Sequence, residues 1–233
     1  MEAKLNIFIL SYITNSLMKE NLDIISLNKK AWNNAAKKYE QAKYSKINPL
    51  AELFCEKLPE NASILDLGSG TGIPFARYFV DKGFKVFGID ISAQMVQISQ
   101  KNVPNAEFRE ISMTELEYVN KFDGVFSNYS MLLLNPQLFK DVAKKIVKSL
   151  KINGLLYLAL NEPREESTNL DEDIVVRIMG EEMYSRAYSE EEILTIFSPL
   201  GLNLIKRHRE IITSKEFGIE HCMRFLFKKL LNK

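Results

Sequence analysis

The chain has 233 residues, 46% of them apolar, with 31 basic against 30 acidic side chains. That length suits one large domain, or one domain with extensions, and a substantial core. Near-zero net charge supplies no global field for nucleic acid or an anionic membrane, so neither is an expected partner.

The two cysteines, Cys55 and Cys222, lack metal-ligand spacing and lie in apolar surroundings. They read as core residues of a protein in a reducing compartment, with no metal site expected. The apolar stretch from Leu5 to Ile13 is too short to span a bilayer. It also lacks a basic leading segment and a small-residue cleavage site, which argues against a signal peptide. A cytoplasmic protein is the expectation, with residues 1–27 as an extension or packing helix. The basic clusters "KKAWNNAAKKYEQAKYSK" and "FKKLLNK" read as solvated helix faces and a frayed tail.

From about residue 28 the pattern alternates. "LNKKAWNNAAKKYEQA" predicts a helix, and "NPLAELFCEKL" another, with Leu50, Leu53, Phe54 and Leu58 on one stripe. "SILDL" is a short buried strand. "IPFARYFVDKG" has helical period and stops at a glycine cap, Gly83. "KVFGID" is a strand, and "SAQMVQISQKN" a helix with Ser92 as its N-cap. Strands "AEFREI" and "FDGVFSN" follow. "PQLFKDVAKKIVKSLK" carries Leu138, Val142 and Ile146 spaced by four, and "GLLYLAL" is a fully apolar strand. Residues 161–188 are polar and irregular, with one short helical stretch. "SEEEILTIFSPLG" is a helix with a capping box, Ser189 with Glu192. Two strands without an intervening helix close the chain. Alternating strands and helices imply a doubly wound α/β fold, its seven-stranded sheet mainly parallel and ending in an antiparallel pair.

"DLGSGTG", residues 66–72, links the first strand to the next helix. Glycines there let a ligand approach, and helix N-terminal amides attract a negative group. Asp90 ends the next strand, where a carboxylate can accept both hydroxyls of a ribose. The expected ligand contains adenosine. The dinucleotide fingerprint G-x-G-x-x-G fails in both registers, at Ile73 and at Phe75, and no Gly-Lys-Ser/Thr follows.

The string D-x-G-x-G-x-G is followed in order by "GIDISAQMV", "AEFREISMTEL", "FDGVFSNYSMLLL" and "LKINGLLYLAL". With these five segments the chain resembles the class I S-adenosylmethionine-dependent methyltransferases over about residues 28–233. The resemblance implies a Rossmann-like sheet and S-adenosyl-L-methionine as cofactor. It implies that the loop Gly68, Ser69, Gly70, Thr71 and Gly72 lies along the methionine part and that Asp66 holds its amino group. Asp90 would take the ribose hydroxyls, with Ile91 and Met95 on the adenine. The position of the adenine-amino contact, an Asp in many relatives, falls at Ser112, with Met113 at the adenine edge. Asn128 would face the methionine end. Ile152-Asn153-Gly154 replaces the family's Pro-Gly turn, and Asn tolerates a left-handed conformation.

A methyl donor needs an acceptor held in line and water excluded, and a general base only if the acceptor arrives protonated. No catalytic residue is assigned. His208 and His221 read as strand residues of structural kind. "NYS" at 128–130 is not the Asn-Pro-Pro-Tyr of certain amino-group methyltransferases. Tyr129 lines the transfer channel or packs.

Candidates for the acceptor side are Trp32 and Tyr39 on the first helix, Tyr129, Glu162, and Tyr184, Arg186 and Tyr188. Relatives acting on small molecules close such a W…A…Y helix, here residues 28–46, over the cofactor. Residues 161–188 would be a lid, whose acidic run (Glu162, Glu165, Glu166, Asp171, Glu172, Asp173) attracts a cation or is simply solvated. Tyr184, Arg186 and Tyr188 grip a carboxylate or a ring, or anchor the lid on the core. The expectation is methyl transfer to a small-molecule acceptor by a monomer or homodimer. The alternatives are a methyltransferase for RNA or protein and an inactive cofactor-binding regulator.

Overall fold

A computed structural model describes residues 24–42, 46–163, 175–214 and 218–231. A helix over 24–41, α1, opens it, so the expected boundary at 27/28 falls inside a helix. Helix α2, Pro49–Lys57, starts where the Asn48 side chain accepts from the amides of Leu50 and Ala51. It buries Leu50, Ala51, Phe54 and Cys55 at helical spacing.

The sheet strands are β1 (Ser63–Leu67), β2 (Lys85–Asp90), β3 (Glu107–Glu110), β4 (Phe122–Asn128) and β5 (Leu150–Asn161). Helices α3 (Phe75–Asp81), α4 (Ala93–Asn102) and α5 (Pro136–Ser149) alternate with them. Further along come strands β6 (Val175–Ile178) and β7 (Glu181–Tyr184), then α6 (Glu190–Phe197). Strands β8 (Leu202–Ser214) and β9 (Gly218–Lys229) complete the chain.

Seven strands form one sheet in the order β3-β2-β1-β4-β5-β9-β8. The pairs from β3 to β5 are parallel, and β9 runs antiparallel to both β5 and β8. The antiparallel strand therefore sits one place in from the edge, and β8 is the edge itself. Strand order reverses at β1, between β2 and β4, which opens a crevice at the carboxyl ends of these strands.

Alternation along the strands divides the core in two. Leu65, Leu67, Leu156, Leu158, Phe225 and Phe227 pack with Phe139, Ile146 and Phe197 of α5 and α6. Ile64, Phe126, Tyr157 and Leu226 pack on the other face with Phe54 and Phe79 of α2 and α3. There Phe126 stacks on Tyr157 at 4.1 Å between ring centroids, with Phe54 5.6 Å from Phe126. On α5 the buried stripe is Phe139, Val142, Ala143, Ile146 and Val147, with Leu138 half-buried beside it. The capping box at Ser189 and Glu192 is formed.

One expectation needs correction. The described part of 161–188 holds an antiparallel hairpin, β6–β7, and no helix. "VVRI" is rich in β-branched residues, and Met179 (φ 54°) with Gly180 (φ 92°) supplies the two positive φ angles of a tight hairpin turn. Most of the acidic run, Glu165, Glu166, Asp171, Glu172 and Asp173, lies outside the described residues. Strand β5 also starts earlier than expected, at Leu150, and passes Asn153 in the left-handed conformation, φ 65°.

Candidate functional site

Gly68, Gly70 and Gly72 all have positive φ, at 68°, 53° and 77°. Two of them make room for protein rather than for a ligand. A Cβ at Gly68 would collide with Ser130, whose hydroxyl bonds the Leu67 carbonyl at 2.6 Å. A Cβ at Gly72 would press on Val103 at 3.0 Å and on Phe108 and Ser99 at 3.3 Å. Only Gly70 is open, and the nearest atom there is Cε1 of Tyr39, at 3.7 Å.

The loop amides are similarly engaged. Those of Gly68 and Ser69 share the Ile89 carbonyl, at 2.8 and 2.9 Å, and Gly72 bonds the Ser69 carbonyl at 3.0 Å. The Gly70 amide donates to Asp90 Oδ2 at 2.9 Å, and the Ser92 amide donates to Oδ1 at 2.9 Å. The negative group drawn to this loop is thus the protein's own carboxylate. Each oxygen of Asp90 retains a further lone pair for a hydroxyl donor.

Asp90 and Asp66 are 8% and 4% exposed. Burial raises the Asp90 carboxyl to about 6 despite the amide bonds from Ser92, Gly70 and Ile91. Burial, and then the charge of Asp90, raises Asp66 to about 7. Over them lies Tyr39, whose phenol is pushed up to about 12 by burial and by the charges of Asp90 and Asp66. Trp32 meets the Tyr39 ring edge-on at 5.7 Å. Helix α1 is pinned on two sides. Asn33 Oδ1 accepts from the Ser92 hydroxyl at 2.8 Å and the Gln94 amide at 3.3 Å. Asn34 bonds Glu181 at 3.0 Å, and Lys38 bonds the Met179 carbonyl at 3.0 Å. The first helix and the hairpin thus form one cover, joined also by Asn28, which accepts from the Tyr184 amide and donates to the Leu133 carbonyl.

On the far side of Asp90, Met95 is buried in the first turn of α4 and Ile91 is half-buried. Thr71 is buried, its carbonyl bonded by Asn102 at 2.9 Å. Ser112 caps a short turn, Met113–Glu115, by accepting from the Thr114 amide while its own amide bonds Glu115. Met113 packs at the edge of the core.

At the end of β4, Asn128 Oδ1 lies 3.5 Å from the Tyr157 hydroxyl, which Asn48 also bonds at 2.9 Å. Tyr129 has φ 55°, a conformation that is strained for an aromatic residue. Its hydroxyl accepts from Arg224 Nη2 at 3.1 Å.

The remaining candidates are otherwise employed. Arg209 grips both oxygens of Glu162 at 3.0 Å. The Tyr188 hydroxyl donates to the Leu134 carbonyl at 2.6 Å, and its ring packs on Phe139 at 4.4 Å. Arg186 pairs with Glu192 at 2.8 Å and lies over the Tyr188 ring. Tyr184 is buried and tied to Asn28. Arg186 and Tyr188 therefore anchor the segment on the core, one of the two roles open to them. Sequence reasoning passed over Asn33, Ser130 and Arg224. A lone arginine inside the apolar run "CMRFLF" was the available signal for the last.

Residues 64–154 match the family model described as a methyltransferase domain. A carboxy-S-adenosyl-L-methionine synthase of Campylobacter jejuni is 31% identical over 113 residues, 46% of this chain and 47% of that protein. The chain spans about half the length of the curated relatives it matches in this way. The synthase of the same name from Sulfurimonas denitrificans is 28% identical over 188 residues, 77% of this chain and 79% of the relative. Among solved structures, the fold is similar to the Burkholderia thailandensis 1,6-didemethyltoxoflavin-N1-methyltransferase with bound 1,6-didemethyltoxoflavin and S-adenosylhomocysteine. That likeness has a TM-score of 0.71 at 15% identity, over 91% of each chain.

Proposed function

We propose that this chain, whose residues 64–154 match a methyltransferase-domain family model, is a class I S-adenosyl-L-methionine-dependent methyltransferase that transfers a methyl group to a small-molecule acceptor. One observation carries the reading. Asp90 is fixed by two amides with lone pairs to spare, beside the open glycine and beneath Tyr39. That is the acceptor set a ribose with two free hydroxyls requires.

The other residues fit the cofactor. The hydroxyl of Ser69, next to Gly70 in the chain, and Nε1 of Trp32, whose ring meets Tyr39, are buried with no hydrogen-bond partner among the described residues, so two polar groups near the loop are left for a ligand to satisfy. Asp66, whose carboxyl burial and the charge of Asp90 raise to about 7, is drawn toward its carboxylate form by a cationic amino group beside it. Ile91 and Met95 offer an apolar seat for the adenine. Asn128 and Tyr129 stand at the methionine end, and Ser112 with Met113 at the adenine edge. When bound, the cofactor supplies an electrophilic methyl on sulfur. The chain's part is to hold the two partners in line and to keep water out under α1 and the hairpin. Two free buried cysteines suit a reducing, cytoplasmic setting. No helix among the described residues is long and apolar enough to cross a membrane.

Calorimetric titration with S-adenosyl-L-methionine and S-adenosylhomocysteine, with NADH as control, tests this. Micromolar binding of the first two alone is the expected result. Binding of NADH, or of none, overturns it. A metabolite screen in the presence of the cofactor then names the acceptor, and salt-sensitive binding of RNA would instead favour a macromolecular one. A second reading rests on the relatives: that the chain, like them, makes carboxy-S-adenosyl-L-methionine. Mass spectrometry of the nucleosides that copurify with the protein separates the two.

A further inference from the structure

On the reading just given, the acceptor lies over the carboxyl ends of β4 and β5. The sheet face there carries a buried cation. Arg224 is 4% exposed and sits on β9 opposite Ala159 of β5 and His208 of β8. Strand alternation places it with Leu226 on the face of Tyr157 and Ala159, whereas Met223 and Phe225 point to the α5 side. Asn128 pairs with Ala159, so Arg224 is two strand spacings, about 10 Å, from β4.

The guanidinium is incompletely used. Nη1 pairs with Glu210, and Nη2 donates to the Tyr129 hydroxyl at 3.1 Å. Nε and Nη1 are buried with no hydrogen-bond partner among the described residues; Nη1 has the ion pair with Glu210, the Tyr157 hydroxyl also lies beside the guanidinium, and Nε has no ion pair. Nε and Nη2 form one edge of the planar fork, the edge that matches a carboxylate with two parallel bonds. The Tyr129 hydroxyl stands at the Nη2 end of that edge, its ring 6.0 Å from the guanidinium carbon and its backbone at φ 55°. A buried donor left bare and an aromatic residue held in strain at one spot mark a site for a ligand rather than for packing.

We infer that Arg224, with the Tyr129 hydroxyl, binds the carboxylate of an acidic small-molecule methyl acceptor. The carboxylate lies in the Nε–Nη2 edge, and the rest of the molecule extends toward Asn128.

The test uses the full chain saturated with S-adenosylhomocysteine. Acetate, benzoate and 4-hydroxyphenylacetate, each beside its neutral amide, are titrated and followed by ligand-observed NMR. At least one acid should bind tenfold or more tighter than its amide. Arg224→Gln should bring that ratio to about one, and Arg224→Lys should keep part of it, with S-adenosylhomocysteine affinity held within about twofold in both. Tyr129→Phe should weaken the acid a few-fold and serves as the second variant if Arg224→Gln does not fold. Acids that bind no better than amides, no binding by any acid, or a ratio that survives Arg224→Gln overturns the inference. Failure of S-adenosylhomocysteine to bind the wild-type chain refutes the cofactor reading instead.

Discussion

The two halves of the sheet hold their polar groups in different ways. Around β1 and β2, Asp90 is bonded by Gly70 and Ser92, residues 20 and 2 positions away, within one strand–helix–strand unit and the turn that follows it. Around β5 and β9, Arg224 meets Tyr129 across 95 positions. The first half is a short-range device whose geometry the glycine loop dictates. The second exists only when the C-terminal strands are in place. One half can therefore stay the same across chemistries while the other changes, because its residues are not bound to a local backbone motif.

The strongest way to break the first half is Asp90→Ala. Losing a charged acceptor for two hydroxyls should cost cofactor affinity about 100-fold or more, read by calorimetry, with the thermal transition still cooperative. Unchanged affinity would remove Asp90 from the site.

Gly68→Ala comes next and acts on stability. Positive φ and collision with Ser130 together should cost roughly 2–3 kcal/mol in urea denaturation. Gly70→Ala meets nothing closer than 3.7 Å, so its stability cost should be about 1 kcal/mol while cofactor affinity drops more steeply. Equal behaviour of the two variants would erase the distinction between packing glycine and ligand glycine.

A pH series sharpens the electrostatic side. Asp66 and Asp90 are raised to about 7 and about 6, so the folded chain keeps protons that the unfolded chain has released. Their contribution to stability is therefore greatest at low pH and is lost as pH rises through 6 to 7. Asp66→Asn should gain melting temperature relative to wild type between pH 5 and pH 8. Cofactor binding should release protons in the same window, seen as a buffer-dependent enthalpy. A flat difference between the two proteins would contradict the paired burial. The smallest effect is expected of Ser112→Asp. Asp caps a helical turn as well as Ser, so stability should change by about 0.5 kcal/mol or less, with cofactor affinity equal or a few-fold tighter. A large loss of affinity would remove residue 112 from the adenine edge.

Legibility followed the same division. The loop, Asp90, the Ser92 cap and the α5 stripe are patterns within a few residues, and each could be read from the sequence because backbone geometry is local. The hairpin β6–β7 was missed because four-residue strands give too short a period to set against a polar background. The reason for Gly68 was also missed. Its neighbour Ser130 is 62 positions away, and no spacing rule links them. The same holds for Arg224, whose partners lie just past β4 and on β8.

The place of β9 in the sheet has a consequence for how the chain is made. Its residues, Gly218–Lys229, follow every other strand in order of synthesis, yet they lie between β5 and β8. Until they emerge from the ribosome, the outer edge of β5 is open and β8 has no ladder partner. The topology predicts that the half built around β1 and β2 consolidates first, behind an open strand edge of the kind that recruits other chains. Slowing translation between β8 and β9 should therefore raise aggregation more than an equal delay after β2, a difference that pulse-chase solubility measurements would read.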